Sequence, residues 1–320
     1  MKVVVTGAAG YIGAATVARL LDAGHTVAGL DCLRFGGTAL LGSYLTGRFA
    51  LTRGDIRDPS VVARVLADAD AVVHLAGIVG DPACAAEPGL ASAVNLDAAV
   101  ALHEAAQRAG VARFVFASTC SVYGHCAYPA DEEAPLQPLS LYAQTKVDAE
   151  AQMLGTVPGG MGTTVLRFAT VYGLAPRMRF DLVVNTWVAH ALTTGRVQVF
   201  TPAAWRPLIH VADVADAIAN VVQAPAAMVG GQVFNVGSTD NWQLADVAHL
   251  VAEICGPSVQ VDISPALGDA RDYRITTTKL AAATAWKAGR TLREGIGELA
   301  NALSAGVLDG HPALGGPRAA

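Results

Sequence analysis

The fold of this 320-residue chain is decided by its residues 6–13, Thr6-Gly7-Ala8-Ala9-Gly10-Tyr11-Ile12-Gly13. This stretch follows an apolar run, residues 3–5, and precedes a segment with the apolar spacing of a helix. Glycine lets the chain turn tightly and approach a pyrophosphate, and the helix N-terminus adds N–H groups and a partial positive charge. The spacing GxxGxxG is weak evidence alone, and its place after a strand strengthens it. We predict a dinucleotide cradle formed by Gly7, Gly10, Tyr11, Ile12 and Gly13.

Outward from this cradle, short apolar runs alternate with alanine-rich helical stretches through the first half of the chain. We predict strands at residues 3–5, 26–30, 71–75, 114–118 and 164–168. We predict helices at residues 13–23, 60–66, 94–109 and 141–154. Near-continuous apolar strands that alternate with helices are typical of a doubly wound parallel sheet. The expected fold class is therefore α/β, a Rossmann-type sheet with a smaller C-terminal substrate-binding domain.

The pattern changes after Gly173, where it becomes irregular and richer in proline and tryptophan. We predict a dinucleotide-binding domain over residues 1–173 and a mainly substrate-binding domain over residues 174–303. A later segment, residues 207–219, is expected to return to the first domain. The last residues, 304–320, are rich in Gly, Ala and Pro, and we expect a loosely held tail.

Composition narrows the classes of function. The chain is 52% hydrophobic with a net charge of −5, so it can bury a core and has no basic excess that would favour nucleic acid. No apolar run reaches the roughly 18–20 residues of a membrane span, and the N-terminus resembles a strand more than a signal peptide. The five cysteines lack zinc-site spacing, so we expect no metal and reduced thiols in a cytoplasmic protein.

The choice of cofactor depends on Asp31, which ends the second predicted strand. A carboxylate there can accept hydrogen bonds from the adenosine ribose hydroxyls and would repel a 2′-phosphate, which favours NAD over NADP. Arg34 lies close in sequence and weakens this preference, and a turn-forming Asp is the alternative. Asp55 and Ile56 follow at a position where the edge of the adenine ring could be met.

Another predicted strand ends in His74-Leu75-Ala76-Gly77. The small side chains allow the backbone to approach the cofactor closely, so Leu75, Ala76 and Gly77 are candidate cofactor contacts. For His74, a place at the edge of the core is as good an explanation as a direct role.

The catalytic candidates are Tyr142 and Lys146, which are four residues apart and therefore share one helix face. A free tyrosine has a pKa of about 10 and is a poor base at neutral pH. A nearby ammonium group and a nicotinamide cation would lower that pKa. Tyr142 could then take a proton from a sugar hydroxyl, and Lys146 could also hold the nicotinamide ribose. Because YxxxK is common on ordinary helices, this prediction depends on the cradle.

Together these motifs resemble the extended short-chain dehydrogenases/reductases of the NAD-dependent epimerase/dehydratase family. The resemblance covers nearly the whole chain. It includes residues 7–13, 31, 54–56, 74–77, 95, 118–124, 142, 146, 167–173, 206–213 and 234–237. The family implies a Rossmann domain, bound NAD and a nucleotide-diphosphate sugar as substrate.

The resemblance also implies roles for single residues. Thr119 matches a hydroxyl that bonds the reacting sugar oxygen and relays its proton to the tyrosine. Ser118 and Phe168 match positions beside the cofactor, and Asn95 matches a family asparagine that has a structural explanation as well. Two predicted helices, at 94–109 and 141–154, match helices that pair in dimeric relatives, so a homodimer is expected.

The residues that follow Thr119 bear on the type of reaction. The 4,6-dehydratases of the family carry Asp-Glu there, whereas this chain has Cys120-Ser121. A thiol and a hydroxyl are poor replacements for that carboxyl pair, which disfavours 4,6-dehydration. Some relatives that perform 5,6-dehydration carry Thr-Cys followed by an acidic residue, so Cys120 stays a candidate substrate contact and base. A small buried thiol is the alternative.

Further substrate contacts are implied by matched positions. Arg206 matches an arginine that binds the substrate diphosphate, and Arg271 is a second candidate for that contact. Thr170 and Asp181 replace family asparagines near the diphosphate, and Asp181 could instead face a base-ring N–H or lie on the surface. Asp81 lies where relatives reach toward the sugar, and could bind a hydroxyl or an amine or cap its loop.

The sequence therefore predicts an NAD-dependent nucleotide-sugar epimerase that acts through a transient 4-keto sugar, with hydride returned from NADH. A 5,6- or 4,6-dehydratase or a ketoreductase on the same substrate class is the alternative among enzymes. A non-catalytic NAD-sensing protein is the alternative outside enzymes, because a fold does not fix a function.

Overall fold

A computed structural model describes residues 1–155, 160–264 and 271–314 of the chain. The predicted tail therefore lies partly outside the described residues, at 315–320. Among the helices described, none combines the length and apolar character needed to cross a membrane.

The centre of the molecule is a seven-stranded sheet in which all neighbouring strands are parallel. Its order is β10-β6-β5-β4-β1-β2-β3. Its strands, in chain order, are β1 Lys2–Thr6, β2 Thr26–Asp31, β3 Phe49–Arg53, β4 Ala71–His74, β5 Arg113–Thr119, β6 Gly162–Phe168 and β10 Gln232–Val236. The predicted doubly wound α/β fold is confirmed.

Two smaller sheets carry the remaining strands. A three-stranded sheet has the order β11-β9-β7 and a two-stranded sheet pairs β12 with β8. These strands are β7 Thr170–Tyr172, β8 Arg196–Val199, β9 Trp205–His210, β11 Asn241–Gln243 and β12 Gln260–Ile263.

Helices surround the sheets. The α-helices are α1 Tyr11–Asp22, α2 Leu41–Tyr44, α3 Pro59–Leu66, α4 Asp81–Ala86, α5 Pro88–Ser92, α6 Ala98–Arg108, α7 Leu141–Leu154, α8 Val183–Thr194, α9 Val211–Gln223, α10 Ala226–Val229, α11 Leu244–Cys255, α12 Thr278–Thr284 and α13 Leu292–Ser304. Three short 3₁₀ turns lie at Thr38–Leu40, Cys120–Tyr123 and Pro312–Leu314. The helix predicted at 94–109 instead begins with a π-helical turn, Ala93–Asp97, that contains Asn95.

Alternating side chains of the central sheet feed two cores. In β1, Val3 and Val5 pack with α1 on one face, whereas Val4 packs with α3, α6 and α7 on the other. The sequence after Gly173 contributes to the first face, because α9 packs along α1 and β10 extends the sheet beside β6. The carboxyl ends of the parallel strands all lie at one edge, which is where such sheets bind ligands.

Candidate active site

The glycines after β1 form a backbone-lined cradle. Gly7 has a left-handed backbone with φ of 69°, and a Cβ atom there would lie 2.8 Å from the amide nitrogen of Ala76. A Cβ atom at Gly13 would lie 1.9 Å from the carbonyl oxygen of Gly7. Helix α1 begins immediately after Gly10 without a side-chain cap on its first N–H groups. These features fit the pyrophosphate of a dinucleotide.

The other two residues predicted in the cradle point elsewhere with their side chains. Tyr11 is buried, and its hydroxyl donates to the carbonyl oxygen of Gly173 at 2.7 Å and accepts from Asn185 at 3.3 Å. Ile12 packs against the core. Both can therefore meet a pyrophosphate through backbone N–H groups, while Tyr11 joins the cradle to the segment after β7.

Asp31 is held ready at the end of β2. Its Oδ2 accepts from the backbone of Ala9 at 2.9 Å and its Oδ1 accepts from Leu33 at 2.7 Å. Each carboxylate oxygen retains a further lone pair, so the group can also accept from ribose hydroxyls. Arg34 pairs with Glu87 at 3.5 Å on the exposed surface. The geometry fits the predicted ribose contact.

The predicted adenine contacts lie beside Asp31. Gly54 donates its backbone N–H to the carbonyl oxygen of Asp31 at 3.0 Å, which places the following turn next to it. The carboxylate of Asp55 is ion-paired with Arg57 at 2.7 Å, and these hydrogen bonds hold the pKa of Asp55 below its ordinary value. Ile56 is buried. Any adenine contact would therefore involve the backbone of this turn.

The segment after β4 lies directly against the cradle. Leu75 donates to the carbonyl oxygen of Thr6 at 3.2 Å, and Ala76 donates to the Thr6 hydroxyl at 3.2 Å. That hydroxyl also contacts His74 Nδ1 at 2.7 Å. Burial, aided by the charge of Lys146, lowers the pKa of His74 to about 3. A neutral His74 that accepts from Thr6 thus braces the approach of Leu75, Ala76 and Gly77.

The side chain of Asn95 holds the backbone of the loop that follows β4. Its Oδ1 accepts from the backbone of Ile78 at 2.8 Å and its Nδ2 donates back to the same residue at 2.9 Å. A Cβ atom at Gly77 would lie 3.0 Å from Asn95 Oδ1 and 3.9 Å from Lys146 Nζ. The π-helical turn thus fixes the loop that leaves the cofactor strand, and π-turns of this kind recur at functional sites.

Two elements bring the three predicted catalytic residues together. Thr119 ends β5, and α7 begins at a Ser140 cap whose hydroxyl accepts from Ala143 at 3.2 Å. Tyr142, in the first turn of α7, lies near the side chain of Thr119, which partly offsets the rise in the pKa of Tyr142 that burial causes. Lys146 is buried one turn later, where its Nζ donates to the carbonyl oxygen of Ala117 at 2.9 Å.

The pKa of Tyr142 differs from the expectation. The pKa of Tyr142 is raised to about 12 because burial disfavours the phenolate; Arg179 and the side chain of Thr119 oppose this, and Cys84 and Asp81 add to it. In the protein alone burial outweighs the neighbouring charges, and the lowering by Lys146 and a nicotinamide cation together stays a prediction. Burial also lowers the pKa of Lys146 to about 8, against the charge of Glu150.

Behind the catalytic residues lies a buried charge network. Glu150 pairs with Arg167 at 2.6 Å, and both side chains are at most 5% exposed. Ser118 donates its hydroxyl to Glu150, so its predicted cofactor contact would have to come from its backbone. Phe168 lies opposite Thr119 in the register of β5 and β6, at the edge where the cofactor is expected.

Cys120 requires a correction. It was expected as a substrate contact, yet it is 0% exposed and its thiol donates to the carbonyl oxygen of Arg167 at 3.2 Å. Burial raises the pKa of the thiol far above its ordinary value. Because the side chain after Thr119 turns into the sheet, Cys120 is placed neither to touch a sugar nor to act as a base.

The candidate substrate residues Asp81, Arg206 and Arg271 converge on one corner of the site. Arg271 lies 3.4 Å from Asp81 Oδ2 and donates to Ser121 Oγ at 3.2 Å. Arg206 is 5% exposed and donates to the carbonyl oxygens of Trp205 and Arg271. The sequence argument treated Asp81 and Arg271 as separate contacts, whereas the structure pairs them.

The segment after β7 contains residues that the sequence argument missed. Thr170 begins β7 opposite Leu208 of β9. Asp181 is 64% exposed and pairs with Arg179 at 2.6 Å, so its charge is compensated. Arg179 in turn is the largest charge acting on Tyr142. Arginines spaced by one residue, directly after the Gly173 turn, were the available signal.

Arg177 was missed as well. Its guanidinium group lies 4.0 Å from the ring centroid of Phe35, in the loop that follows β2. The charge of Asp31 also acts on Arg177. The segment after β7 therefore reaches across the cleft to the ribose end of the predicted cofactor site.

The fold and the grouped Thr119, Tyr142 and Lys146 define an enzyme that binds a nicotinamide dinucleotide on a Rossmann-type sheet. The family model described as the NAD dependent epimerase/dehydratase family matches residues 3–237. The chain belongs to this family, and NAD is its cofactor.

Several known proteins are similar along almost their whole length. The UDP-glucose 4-epimerase of Mycolicibacterium smegmatis is 33% identical over 305 residues, 92% of this chain and 96% of the relative. The dTDP-glucose 4,6-dehydratase of an Actinoplanes species is 28% identical and covers 93% and 96%. The structure of Thermus thermophilus UDP-glucose 4-epimerase with NAD is 28% identical, with a TM-score of 0.81, and covers 94% of this chain and 98% of its own.

Proposed function

We propose that this protein is an NAD-dependent nucleotide-sugar epimerase that works through a transient 4-keto sugar. The observation that carries the proposal is the grouping of Thr119, Tyr142 and Lys146 beside the cofactor cradle, with Thr119 at the end of β5 and the other two on one face of α7. The chemistry that NAD⁺ would supply when bound is acceptance of a hydride from a sugar carbon and its return to the opposite face of that same carbon. The relatives named as UDP-glucose 4-epimerases support this reaction type.

Proton transfer would run through the chain's own side chains. The Thr119 hydroxyl accepts the backbone N–H of Ser121 at 3.1 Å, which fixes its orientation for a bond to the reacting sugar oxygen. With the positive charges of Lys146 and of the bound nicotinamide favouring the phenolate, Tyr142 would receive the sugar proton through Thr119 during oxidation and give it back during reduction. Lys146 supplies positive charge beside the cofactor strand and a donor for the nicotinamide ribose.

The residues next to Thr119 argue against the dehydratase alternatives. Water elimination needs an acid and a base beside the sugar. Cys120 is buried with a raised pKa, and Ser121 is bonded to Arg271. A ketoreductase would use the same tyrosine but would consume one reduced cofactor per turnover. A sensor would have little need for the intact Thr119, Tyr142 and Lys146 set.

For the substrate, we propose a nucleotide diphosphate attached to a sugar. Arg206 and Arg271 lie side by side and would meet the diphosphate, with Thr170 and Asp181 on the neighbouring segment after β7. Known relatives named for UDP-glucose favour uracil as the base. The carboxylate of Asp181 would face an N–H group of the base ring.

The remaining features of the proposal concern assembly and organisation. We expect a cytoplasmic homodimer in which the helices at 94–109 and α7 of two copies pair. We also retain the division into a cofactor domain at 1–173, a mainly substrate-binding domain at 174–303 and a tail at 304–320. The return of residues 207–219 to the first domain is supported by the packing of α9 along α1.

The deciding experiment is incubation of the NAD-loaded protein with a panel of sugar nucleotides in D₂O, followed by chromatography and mass spectrometry. We expect a product of unchanged mass, separable as an epimer, without deuterium on carbon, because the hydride returns to the carbon it left. A product lighter by one water, or carbon-bound deuterium, would contradict the proposal. Tyr142→Phe, which should keep bound NAD and lose turnover by orders of magnitude, controls for contaminating activity.

A further inference from the structure

One oxygen of the Asp81 carboxylate stands out in the active site. Asp81 begins α4, and its Oδ2 lies 3.4 Å from Arg271. The other oxygen, Oδ1, is buried, and among the described residues it meets no hydrogen-bond donor. A buried carboxylate oxygen left unpaired is costly, so a donor that arrives with a ligand would be bound favourably.

The position of this oxygen ties it to the reacting end of the substrate. Arg271, which contacts Asp81, also donates to Ser121 Oγ, and the Ser121 backbone donates to the Thr119 hydroxyl. The negative charge of Asp81 moreover reaches Tyr142 and contributes to its raised pKa. Asp81 is therefore a neighbour of the sugar rather than of the nucleotide.

We propose that Asp81 selects a neutral sugar by accepting a hydrogen bond from one of its hydroxyl groups at Oδ1. A sugar with a carboxylate in place of that hydroxyl group has no proton to donate at neutral pH. It would also bring a second negative charge against Asp81, whose single charge is already shared with Arg271. The inference rests on the proposed function and extends it to the class of sugar.

The test compares binding rather than turnover. Calorimetry on the NAD-loaded protein would give dissociation constants for UDP-glucose, UDP-glucuronate and UDP. The wild type is expected to bind UDP-glucose about tenfold or more tightly than UDP-glucuronate, as suits a hydrogen bond to a charged group. Asp81→Asn should bring the two sugar nucleotides to similar affinity, and each is compared with UDP in the same variant because Arg271, once released from the Asp81 charge, can bind the diphosphate more tightly. Asp22→Asn, which removes an exposed carboxylate at the end of α1, should match the wild type.

Two results would overturn the inference. The first is a wild type that binds UDP-glucuronate as well as or better than UDP-glucose, and the second is an Asp81→Asn variant with an unchanged ratio. A wild type with the expected ratio and no epimer in the D₂O experiment would refute the proposed reaction and leave the role of Asp81 standing.

Discussion

At the scale of single residues, the structure shows that burial dominates the electrostatics of the catalytic pair. Tyr142 has its pKa raised and Lys146 has its pKa lowered, so both groups are pushed toward their neutral forms. The charges of Glu150 and Cys84 oppose the lowering of the Lys146 pKa, and its Nζ donates to the carbonyl oxygen of Ala117. Ionising Tyr142 or keeping Lys146 protonated therefore costs free energy at this buried site. A ligand of suitable charge can reduce this penalty.

That penalty has a measurable consequence for Lys146. Its pKa of about 8 lies below the ordinary 10.5, so between these values the folded chain binds fewer protons than the unfolded chain. The contribution of Lys146 to the free energy of unfolding therefore rises with pH across this window, and the penalty is complete below it. We expect a steeper rise between pH 8 and 9.5 in the wild type than in Lys146→Met, by about 1–2 kcal/mol in total.

Urea unfolding of both proteins, freed of NAD, would measure this difference. Cys84 interacts with the charge of Lys146, so the comparison is repeated in a Cys84→Ala background. Parallel curves across the window would show that Lys146 titrates at its ordinary value.

At the scale of elements, the ion pair of Glu150 and Arg167 joins helix α7 to strand β6, and Ser118 adds strand β5. The catalytic tyrosine, the lysine and Glu150 are spaced four residues apart along one face of α7. A contact made at Glu150 thus sets the rotation and height of the helix that carries Tyr142 over Thr119.

We therefore expect Glu150→Gln to lower the free energy of unfolding by about 3–5 kcal/mol, because Arg167 would keep a buried charge without its partner. Chemical denaturation would give the value. Glu104→Gln, in an exposed pair with Arg108 at 3.6 Å, serves as the matched control and should unfold like the wild type. Equal stability of the two variants would show that the buried pair contributes little.

Elements with a clear local pattern of apolar residues were predicted correctly from the sequence. The helix at 141–154 was predicted with the bounds that α7 has, and the first strands and α1 were placed to within two residues. Strand β3 was missed because Phe49–Arg53 is a short edge strand whose last two residues are polar. The sheet of β7, β9 and β11 was missed because its pairings join distant segments that no local pattern reports.

At the scale of the whole molecule, the contact between Phe35 and Arg177 bridges the two sides of the cofactor cleft. Phe35 is 68% exposed, and the guanidinium groups of Arg177 and Arg34 lie 4.0 Å and 5.9 Å from its ring centroid. Such a contact contributes about 0.5–2 kcal/mol. We expect Arg177→Ala to weaken NAD binding by about 2- to 30-fold and to lose NAD faster during gel filtration. As a control, Leu45→Ala changes a 90% exposed side chain in the same part of the sequence as Phe35. This variant should retain NAD like the wild type.

The candidate site shows the same limit of sequence reasoning. The cradle glycines, Asp31, Thr119 and Tyr142 lie at strand ends or helix starts, and Lys146 follows Tyr142 by one turn, so all occupy positions that fit their predicted roles. The pairing of Asp81 with Arg271 and the reach of Arg177 toward Asp31 depend on loops that meet only in three dimensions. The orientation of Cys120 was likewise beyond a pattern of residue types.

The place of β10 in the central sheet bears on how the chain can fold as it is synthesised. When the first 173 residues have left the ribosome, β6 has been made, but its partner β10, Gln232–Val236, has not. The backbone N–H and C=O groups along the outer edge of β6 are then unpaired. An unpaired strand edge can form hydrogen bonds with other chains. The nascent cofactor cradle would therefore be complete well before its sheet is, and this interval is when the growing chain would depend most on chaperones.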